Sequence, residues 1–336
     1  MSETLISAEV DFAAEGKQSG YLRVPHSVDD SAYGWLPVPV TVIRNGEGPT
    51  LVLSAGVHGD EYEGQIAVAE LATELSPEHI RGRLILLPMV NLPAAKQGRR
   101  ISPLDSGNLN RLYPGNPIGS PSEMIAHYHE EVILPLADYA VDLHSGGSSL
   151  LYPATLLRGP GHTPEEETGL QLLTDAFDLP YAWVFTGGGG RNSPARTAMG
   201  AANRKGVINV MAELGGGNAV TSGVLSNTRR GLRRILNALG MLPDYVPDVS
   251  RGTRLLNAVG VIYSYEDGLF EPLKGIGDVI SQSETVAQIH HPETPGRASE
   301  PVHSAFDGMI LAMRAMAQTH RGDALYQIAQ DAGRDA

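Results

Sequence analysis

The chain has 336 residues, 42% of them hydrophobic, which is enough for one large domain with a substantial core and a smaller second domain. It contains no cysteine, which excludes disulfide frameworks, thiolate metal sites and cysteine nucleophiles, so any metal must be bound by His, Asp or Glu. The net charge of -13 argues against nucleic-acid binding, and the sequence has neither a long apolar segment nor the pattern of a signal peptide. We therefore expect a cytoplasmic protein that binds neither nucleic acid nor membrane.

From about residue 38 to 242, short aliphatic runs alternate with longer amphipathic ones. This pattern is typical of a mostly parallel sheet flanked by helices. In chain order we predict strands over 50–56, 83–90, 139–145, 181–186 and 207–214, and helices over 63–75, 122–137, 165–177, 195–206 and 227–241.

After a predicted linker at 242–252, the pattern changes to short runs punctuated by glycine. No helical period remains over 253–330, which favours a small all-β domain. We therefore predict an α/β domain over 1–248 and a β-rich domain over 249–336.

Candidate metal ligands stand directly after two predicted strands. His58 and Glu61 are three positions apart after the first strand, and His144 ends the third. Ligands in α/β sheets bind beyond the carboxyl ends of the strands, and two His with one carboxylate is the ligand set of catalytic zinc. An acid at a helix start beside a surface His is the alternative for the first pair, but His144 at a second strand end favours a metal site.

The otherwise apolar strand 207–214 contains one carboxylate, Glu213, followed by three glycines that leave room for a substrate. Zinc hydrolases need a base that takes a proton from water, so Glu213 is the candidate catalytic residue. A buried Glu paired with an arginine is the alternative.

The loop after the second predicted strand contains Arg100, Asn110 and Arg111. A guanidinium group binds a carboxylate bidentately, so we expect Asn110 and Arg111 to bind a substrate carboxylate. Arg100 could polarise a carbonyl oxygen as it becomes an oxyanion. Ion pairs that anchor the loop are the alternative for both arginines.

Other polar features are not assigned to the site. His127 and His129 are two apart on a predicted helix and face different ways, so we interpret them as surface residues. The glycine-rich segment 186–191 lacks the lysine and hydroxyl of a phosphate-binding loop, and we interpret it as a lip of the cleft.

Four segments resemble the succinylglutamate desuccinylase/aspartoacylase family: GVHGDEYEG, NLNR, DLHSGG and ELGGG, which begin at residues 56, 108, 142 and 213. The resemblance implies a zinc carboxypeptidase-like α/β fold with a small β domain that closes over the active site. It implies one Zn²⁺ per chain on His58, Glu61 and His144, with Glu213 as general base and acid. It also implies Asn110 and Arg111 on the substrate carboxylate, with Arg100 polarising the carbonyl; Glu271, in a recurrent segment of the family's tail, has no assigned role.

Within this family, segment 10–50 is most similar to the N-acetyl-diaminobutyrate deacetylases of ectoine breakdown. We therefore expect a zinc hydrolase that removes the acyl group of a small N-acyl amino acid, with N2-acetyl-L-2,4-diaminobutanoate as the best candidate. Another N-acyl amino acid deacylase, of the aspartoacylase or desuccinylase type, a small-peptide carboxypeptidase and a catalytically silent binding protein are the alternatives. Homo-oligomerisation stays open.

Overall fold

The computed structural model describes residues 4–184 and 193–332. The first range contains β1 (Ser7–Ala8), β2 (Gly16–Pro25), β3 (Trp35–Asn45), β4 (Thr50–Ala55), α1 (Tyr62–Glu74), β5 (Gly82–Leu87), α2 (Leu92–Gln97), α3 (Pro121–Tyr128), β6 (Tyr139–His144), β7 (Leu150–Leu151), β8 (Thr155–Arg158), α4 (Pro164–Phe177) and β9 (Tyr181–Val184). The second contains α5 (Ala198–Arg204), β10 (Ile208–Glu213), α6 (Ser222–Ala238), β11 (Arg254–Tyr263), β12 (Gly268–Pro272), β13 (Val279–Ile280), β14 (Thr285–His290), β15 (Glu300–His303), β16 (Gly308–Arg314), β17 (Gln318–Thr319) and β18 (Ala324–Asp331).

The main sheet has parallel strands at its centre. Its order is β1-β2-β3-β5-β4-β6-β10-β8-β9-β11-β18-β16-β13, and β7 pairs with β16. The neighbouring strands β5, β4, β6 and β10 are parallel to one another, whereas β2 and β3 pair antiparallel at one side. Because parallel strands end at the same edge of a sheet, the residues that follow β4, β6 and β10 meet there.

Helices cover both faces of the central strands. Successive side chains of a strand point to opposite faces. Leu51 and Leu53 of β4 pack in one cluster with residues of α1, α4 and α6, whereas Val52 between them packs with residues of α3 and α5. This layered architecture confirms the predicted α/β fold class. Among the described residues, no helix is long and apolar enough to cross a membrane.

The predicted elements of the α/β region are confirmed with shifted ends. The predicted helix 122–137 is α3 followed by a π turn, His129–Ile133, and a 3-10 turn, Leu134–Leu136. Helix α6 begins at Ser222 rather than 227, and residues 185 and 186 of a predicted strand lie outside the described residues. Strands β1, β2 and β3 were not predicted. In β2 only Leu22 and Val24 are buried, so the strand has too short an apolar pattern to stand out.

The C-terminal region is built from strands in its described part. Strands β11, β18, β16 and β13 continue the main sheet, because β11 pairs in parallel with β9. The other four strands form a second antiparallel sheet of order β15-β14-β12-β17. Apolar side chains of both sheets form one cluster that includes Ile262, Phe270 and Tyr326. The β-rich character is confirmed, but the boundary at 248 remains a prediction because the main sheet extends across it.

Candidate active site

The three predicted metal ligands lie together in the interior. His58 Nδ1 lies 2.8 Å from Glu61 Oε1, and His144 Nδ1 lies 2.8 Å from Glu61 Oε2. The exposed fraction of the three side chains is only 2–3%. One candidate ligand atom from each residue can be chosen so that all three lie within 4.8 Å of one another. The cluster therefore places nitrogen and oxygen ligands around a common point, as a zinc ion requires.

The sheet explains how distant parts of the chain form this cluster. Ala55 at the end of β4 pairs with Leu143 in β6, so His58, shortly after β4, and His144, the last residue of β6, lie at neighbouring strand ends. The turn that joins β4 to α1 packs tightly against α2. A Cβ atom on Gly59 in this turn would lie only 2.0 Å from the backbone of Ala94 in α2. Glu61 is the last residue before α1 and points back toward both histidines. Strand ends and one close loop contact thus fix the ligand positions.

Two further residues orient the histidines. Asn108 Oδ1 lies 3.1 Å from His58 Nε2, and Asp142 Oδ2 lies 2.8 Å from His144 Nε2. The hydroxyl of Ser54 donates to the other carboxylate oxygen of Asp142. Because Nε2 of each ring is hydrogen-bonded, Nδ1 is the ring nitrogen that can bind a metal. Hydrogen bonds to the other nitrogen of a ligand histidine typically strengthen metal binding. Sequence reasoning missed both residues, although Asp142 lies two positions before His144 on one strand and so shares its face.

Without a metal, the cluster is a network of shared protons and charges. Burial alone would lower the pKa of His144, but Asp142 and Glu61 on its two nitrogens raise that pKa well above the usual value. Burial opposes ionisation of Glu61, yet the two histidines keep its pKa well below its usual range. Burial also lowers the pKa of His58. The cluster therefore favours the ionised form of Glu61 and the protonated form of His144 between Glu61 and Asp142.

Glu213 lies beside the cluster of candidate metal ligands. Its strand β10 pairs in parallel with β6, and Glu213 is directly opposite His144 in this register. Its Oε2 is buried and has no hydrogen-bond partner among the residues described. Burial, and next the charge of Glu61, raise the pKa of Glu213 to about 8. The predicted alternative of a direct arginine pair is not seen in the described part, so Glu213 has a free carboxylate oxygen that can exchange a proton near neutral pH.

The predicted arginine loop reaches the same place. Arg100 Nη1 lies 3.3 Å from His58 Nδ1 and 3.5 Å from Glu61 Oε1, and its side chain is 45% exposed. Asn110 is buried, and its side-chain oxygen accepts a hydrogen bond from the amide of Ala198, so its NH₂ group is left to donate. Arg111 is half-buried and donates to the carbonyl of Asn110.

A third arginine was not predicted. Burial lowers the pKa of Arg111, and the neighbouring charges of Arg100 and Arg196 lower it further. Arg196 belongs to a short turn, Pro194–Arg196, that precedes α5. Three arginines that repel one another in a protein of net charge -13 indicate a place for an anion. Only the fold reveals Arg196, since it is far from the loop in sequence.

The cluster opens into a cavity of about 410 Å³. Its lining includes the three metal-ligand candidates, Glu213 and the predicted Arg100, Asn110 and Arg111. Tyr152, Trp183 and Gln327 also line it, and Gln327 comes from β18 in the C-terminal region. The cavity therefore collects every residue that the sequence proposed for the site, together with side chains that it did not suggest.

Two acidic residues of the segment GVHGDEYEG, Asp60 and Glu63, accept hydrogen bonds from the loops around the cluster. Asp60 accepts hydrogen bonds from the amide and hydroxyl of Ser148, and Glu63 accepts one from the amide of Thr221. Between these loops, a Cβ on Gly216 would lie 2.1 Å from the carbonyl oxygen of Leu150. Close packing against the backbone of Leu150 thus requires glycine at position 216.

One interpretation from the sequence is wrong. His129 is buried, and its Nδ1 lies 2.9 Å from the hydroxyl of Tyr113. His129 lies on the buried face of the helix, because it follows the buried residues Ile125 and Ala126 by four and three positions. His127 is partly buried. Glu271 forms an exposed pair with His290, remote from the cluster in the second sheet, and residues 187–190 lie outside the described residues.

Comparisons with known proteins match this chain to one family and its relatives. The family model of the succinylglutamate desuccinylase/aspartoacylase catalytic domain matches residues 47–239. N-alpha-acetyl-L-2,4-diaminobutyric acid deacetylase of Halomonas elongata is 38% identical over 330 residues, which cover 97% of this chain and 95% of that protein. 

Solved structures are similar over the full fold. The crystal structure of a succinylglutamate desuccinylase/aspartoacylase from Rhodobacter sphaeroides is 33% identical with a TM-score of 0.90, covering 97% of this chain and 99% of that one. The product-bound ectoine utilization protein EutE (DoeB) from Ruegeria pomeroyi is 32% identical with a TM-score of 0.92, covering 98% and 100%.

The fold and the cavity define an amide hydrolase that removes acyl groups from small molecules. The chain belongs to the succinylglutamate desuccinylase/aspartoacylase family. This confirms the family that the four motifs predicted.

Proposed function

We propose that the protein is a zinc-dependent deacetylase of N2-acetyl-L-2,4-diaminobutanoate. The observation that carries the proposal is the buried His58, Glu61 and His144 cluster with Glu213 beside it in one cavity. The substrate follows from the 38% identity to a deacetylase of that compound over nearly the whole chain.

His58, Glu61 and His144 are the residues proposed to bind one Zn²⁺ per chain. Their donor atoms suit zinc because they are imidazole nitrogens and a carboxylate oxygen, and the set leaves a coordination position for other molecules. Bound zinc supplies a Lewis acid that acidifies water and polarises a carbonyl group.

Glu213 is the proposed general base and acid. Its free Oε2 can accept a proton from water and later give that proton to the departing amine. A pKa raised to about 8 means that the carboxylate readily takes up the proton near neutral pH. In the reaction, water adds to the acetyl carbonyl, the C–N bond breaks, and acetate and diaminobutanoate are released.

Asn110 and Arg111 are proposed to bind the α-carboxylate of the substrate, and Arg100 to stabilise negative charge on the carbonyl oxygen. The NH₂ group of Asn110 and the guanidinium group of Arg111 are both donors, as a carboxylate requires. Arg196 adds positive charge next to Arg111 and favours an anion at the same place.

The proposal is tested by assaying the purified protein with zinc. We expect kcat/KM to be highest for N2-acetyl-L-2,4-diaminobutanoate and lower for N-acetylaspartate, N2-succinylglutamate and dipeptides. Higher activity on dipeptides would favour the carboxypeptidase alternative. Absence of hydrolysis with every substrate and with zinc bound would favour a binding protein.

A cytoplasmic location, the lack of nucleic-acid and membrane partners, and closure of a separate C-terminal domain over the site remain parts of this proposal. Gln327 in the cavity wall supports a contribution of the C-terminal strands to the site. The oligomeric state stays open.

A further inference from the structure

One polar pair in the cavity has no role in the reaction as proposed. The hydroxyl of Tyr152 donates to Oε1 of Gln327 at 2.6 Å, between residues 175 positions apart in the chain. Tyr152 is buried, Gln327 is half-buried, and both line the cavity that contains the metal cluster.

We propose that Tyr152 and Gln327 bind the side-chain ammonium group of the substrate. The inference rests on the proposed function, since it names the residues that recognise the second amino group of diaminobutanoate. It makes them specificity-determining residues outside the reaction itself.

The hydrogen bond between the two side chains determines what they can bind. Tyr152 uses its only proton on Gln327, so its oxygen presents lone pairs alone. Oε1 of Gln327 accepts that proton and keeps a second lone pair. Two acceptor oxygens side by side suit an ammonium group, which has three donors and no acceptor.

The electrostatic field at the pair also favours a cation. Burial raises the pKa of Tyr152, the carboxylate of Glu213 raises it further, and Glu61 adds to the effect while Arg100 opposes it.

The pair faces only the first cavity, whereas Arg111, proposed to bind the carboxylate, faces two cavities. A second cavity, of about 830 Å³, adjoins the first and is lined by Arg100, Arg111 and Arg196. Tyr152 and Gln327 line the first cavity alone. An amino acid with a carboxylate at the arginines can therefore direct a positively charged side chain toward the pair.

Attachment of the C-terminal strands does not require this hydrogen bond. Leu151 of β7 pairs with Met313 of β16, and the amide of Ala315 donates to the carbonyl of Ser149. These backbone contacts already join the segment after His144 to the C-terminal region. A buried polar pair in the cavity wall is thus available for recognition.

The test compares two substrates that differ at one group. N2-acetyl-L-2,4-diaminobutanoate ends in an ammonium group, and N-acetyl-L-norvaline has a methyl group in its place. The wild type should prefer the cationic substrate. In Gln327→Leu this preference, measured as the ratio of the two kcat/KM values, should fall about 10- to 100-fold, the effect of losing a hydrogen bond to a charged group.

Additional variants keep the test decisive if Gln327→Leu folds poorly. Gln327→Glu preserves size and adds a negative charge, so it should raise the preference for the cationic substrate. Tyr152→Phe should lower it less than Gln327→Leu does. Gln330→Leu, an exposed position on the same strand, is the matched control and should leave the ratio unchanged.

The inference is overturned if Gln327→Leu slows both substrates equally, because the pair would then only support the wall. It is also overturned if Gln327→Glu lowers the preference, or if the wild type hydrolyses both substrates equally well. Hydrolysis of neither substrate by the zinc-loaded wild type would contradict the proposed function, and the subsite with it.

Discussion

The cluster of candidate metal ligands (His58, Glu61 and His144) and the arginine side of the cavity (Arg100, Asn110 and Arg111) are built in different ways. His58 and His144 lie at the ends of neighbouring parallel strands and are almost fully buried, and each has a hydrogen-bond partner on its outer ring nitrogen. Arg100 comes from a long loop, is 45% exposed, and contacts His58 and Glu61 at the longer distances of 3.3 and 3.5 Å. If the sheet-fixed cluster holds the proposed zinc and the loop residues Asn110 and Arg111 bind the proposed substrate, damage to the two sides should have different kinetic effects.

The largest expected effect is a fall in kcat in Glu213→Gln, which changes the residue beside the candidate metal ligands. Removal of a general base typically costs about 10²- to 10⁴-fold in rate. We expect kcat to fall by this amount while KM and zinc content, measured by mass spectrometry, stay near wild type.

Glu63→Gln is the matched control, because Gln can still accept the hydrogen bond from Thr221. Full activity in Glu213→Gln would rule out the proposed base.

Asp142→Asn tests the partner of His144. We expect zinc affinity, measured by competition with a chromogenic chelator, to fall about 10- to 100-fold, as for other outer contacts of metal ligands. Asp175→Asn, on the surface of α4, is the control. Unchanged affinity in Asp142→Asn would mean that strand geometry alone orients His144.

The two sides should also differ in their response to pH. Asp142 and Glu61 raise the pKa of His144 despite its burial, so without zinc His144 is protonated at neutral pH. Zinc must displace this proton, so below that pKa its apparent affinity should rise about tenfold for each unit by which the pH is raised. Binding by the arginines should not change over the same range, since guanidinium groups stay charged. Titration calorimetry in buffers of different ionisation enthalpy measures the released proton, and no release would contradict the expectation.

The smallest effect is expected on the arginine side. Arg111→Lys keeps the charge but loses the planar pair of donors. KM should rise about 3- to 10-fold, which corresponds to loss of one modest hydrogen bond, with kcat and zinc content unchanged. Arg99→Lys, at the exposed neighbour of Arg100, controls for charge-preserving changes in the loop. A fall in kcat without a rise in KM would mean that Arg111 acts in the chemical step and not in substrate binding.

The residues that the sequence predicts are those fixed by short-range rules. The spacing of His58 and Glu61 after an apolar run, and the apolar run that ends in Glu213, indicate strand ends where ligands meet. The parallel register of β6 and β10 then brings Glu213 opposite His144. The central sheet and most helix positions follow from the same periodicity.

Other parts depend on contacts between distant segments. The Tyr152 and Gln327 pair joins positions 175 residues apart, and neither residue stands in a recognisable motif. Arg196 reaches Arg111 only because the turn before α5 packs beside the arginine loop. The interpretation of His129 failed because its buried partner, the hydroxyl of Tyr113, lies 16 positions earlier in the chain and is seen only in the fold.

The position of β18 in the main sheet has a consequence for biosynthesis. This strand lies between β11 and β16, and both of these precede it in the chain. As the ribosome extends the chain, β11 and β16 emerge with their pairing edges open, and the strand that joins them follows later. A chain that stops before residue 324 would lack β18, so β11 and β16 could not pair through it. It would also lack Gln327 and therefore part of the cavity wall.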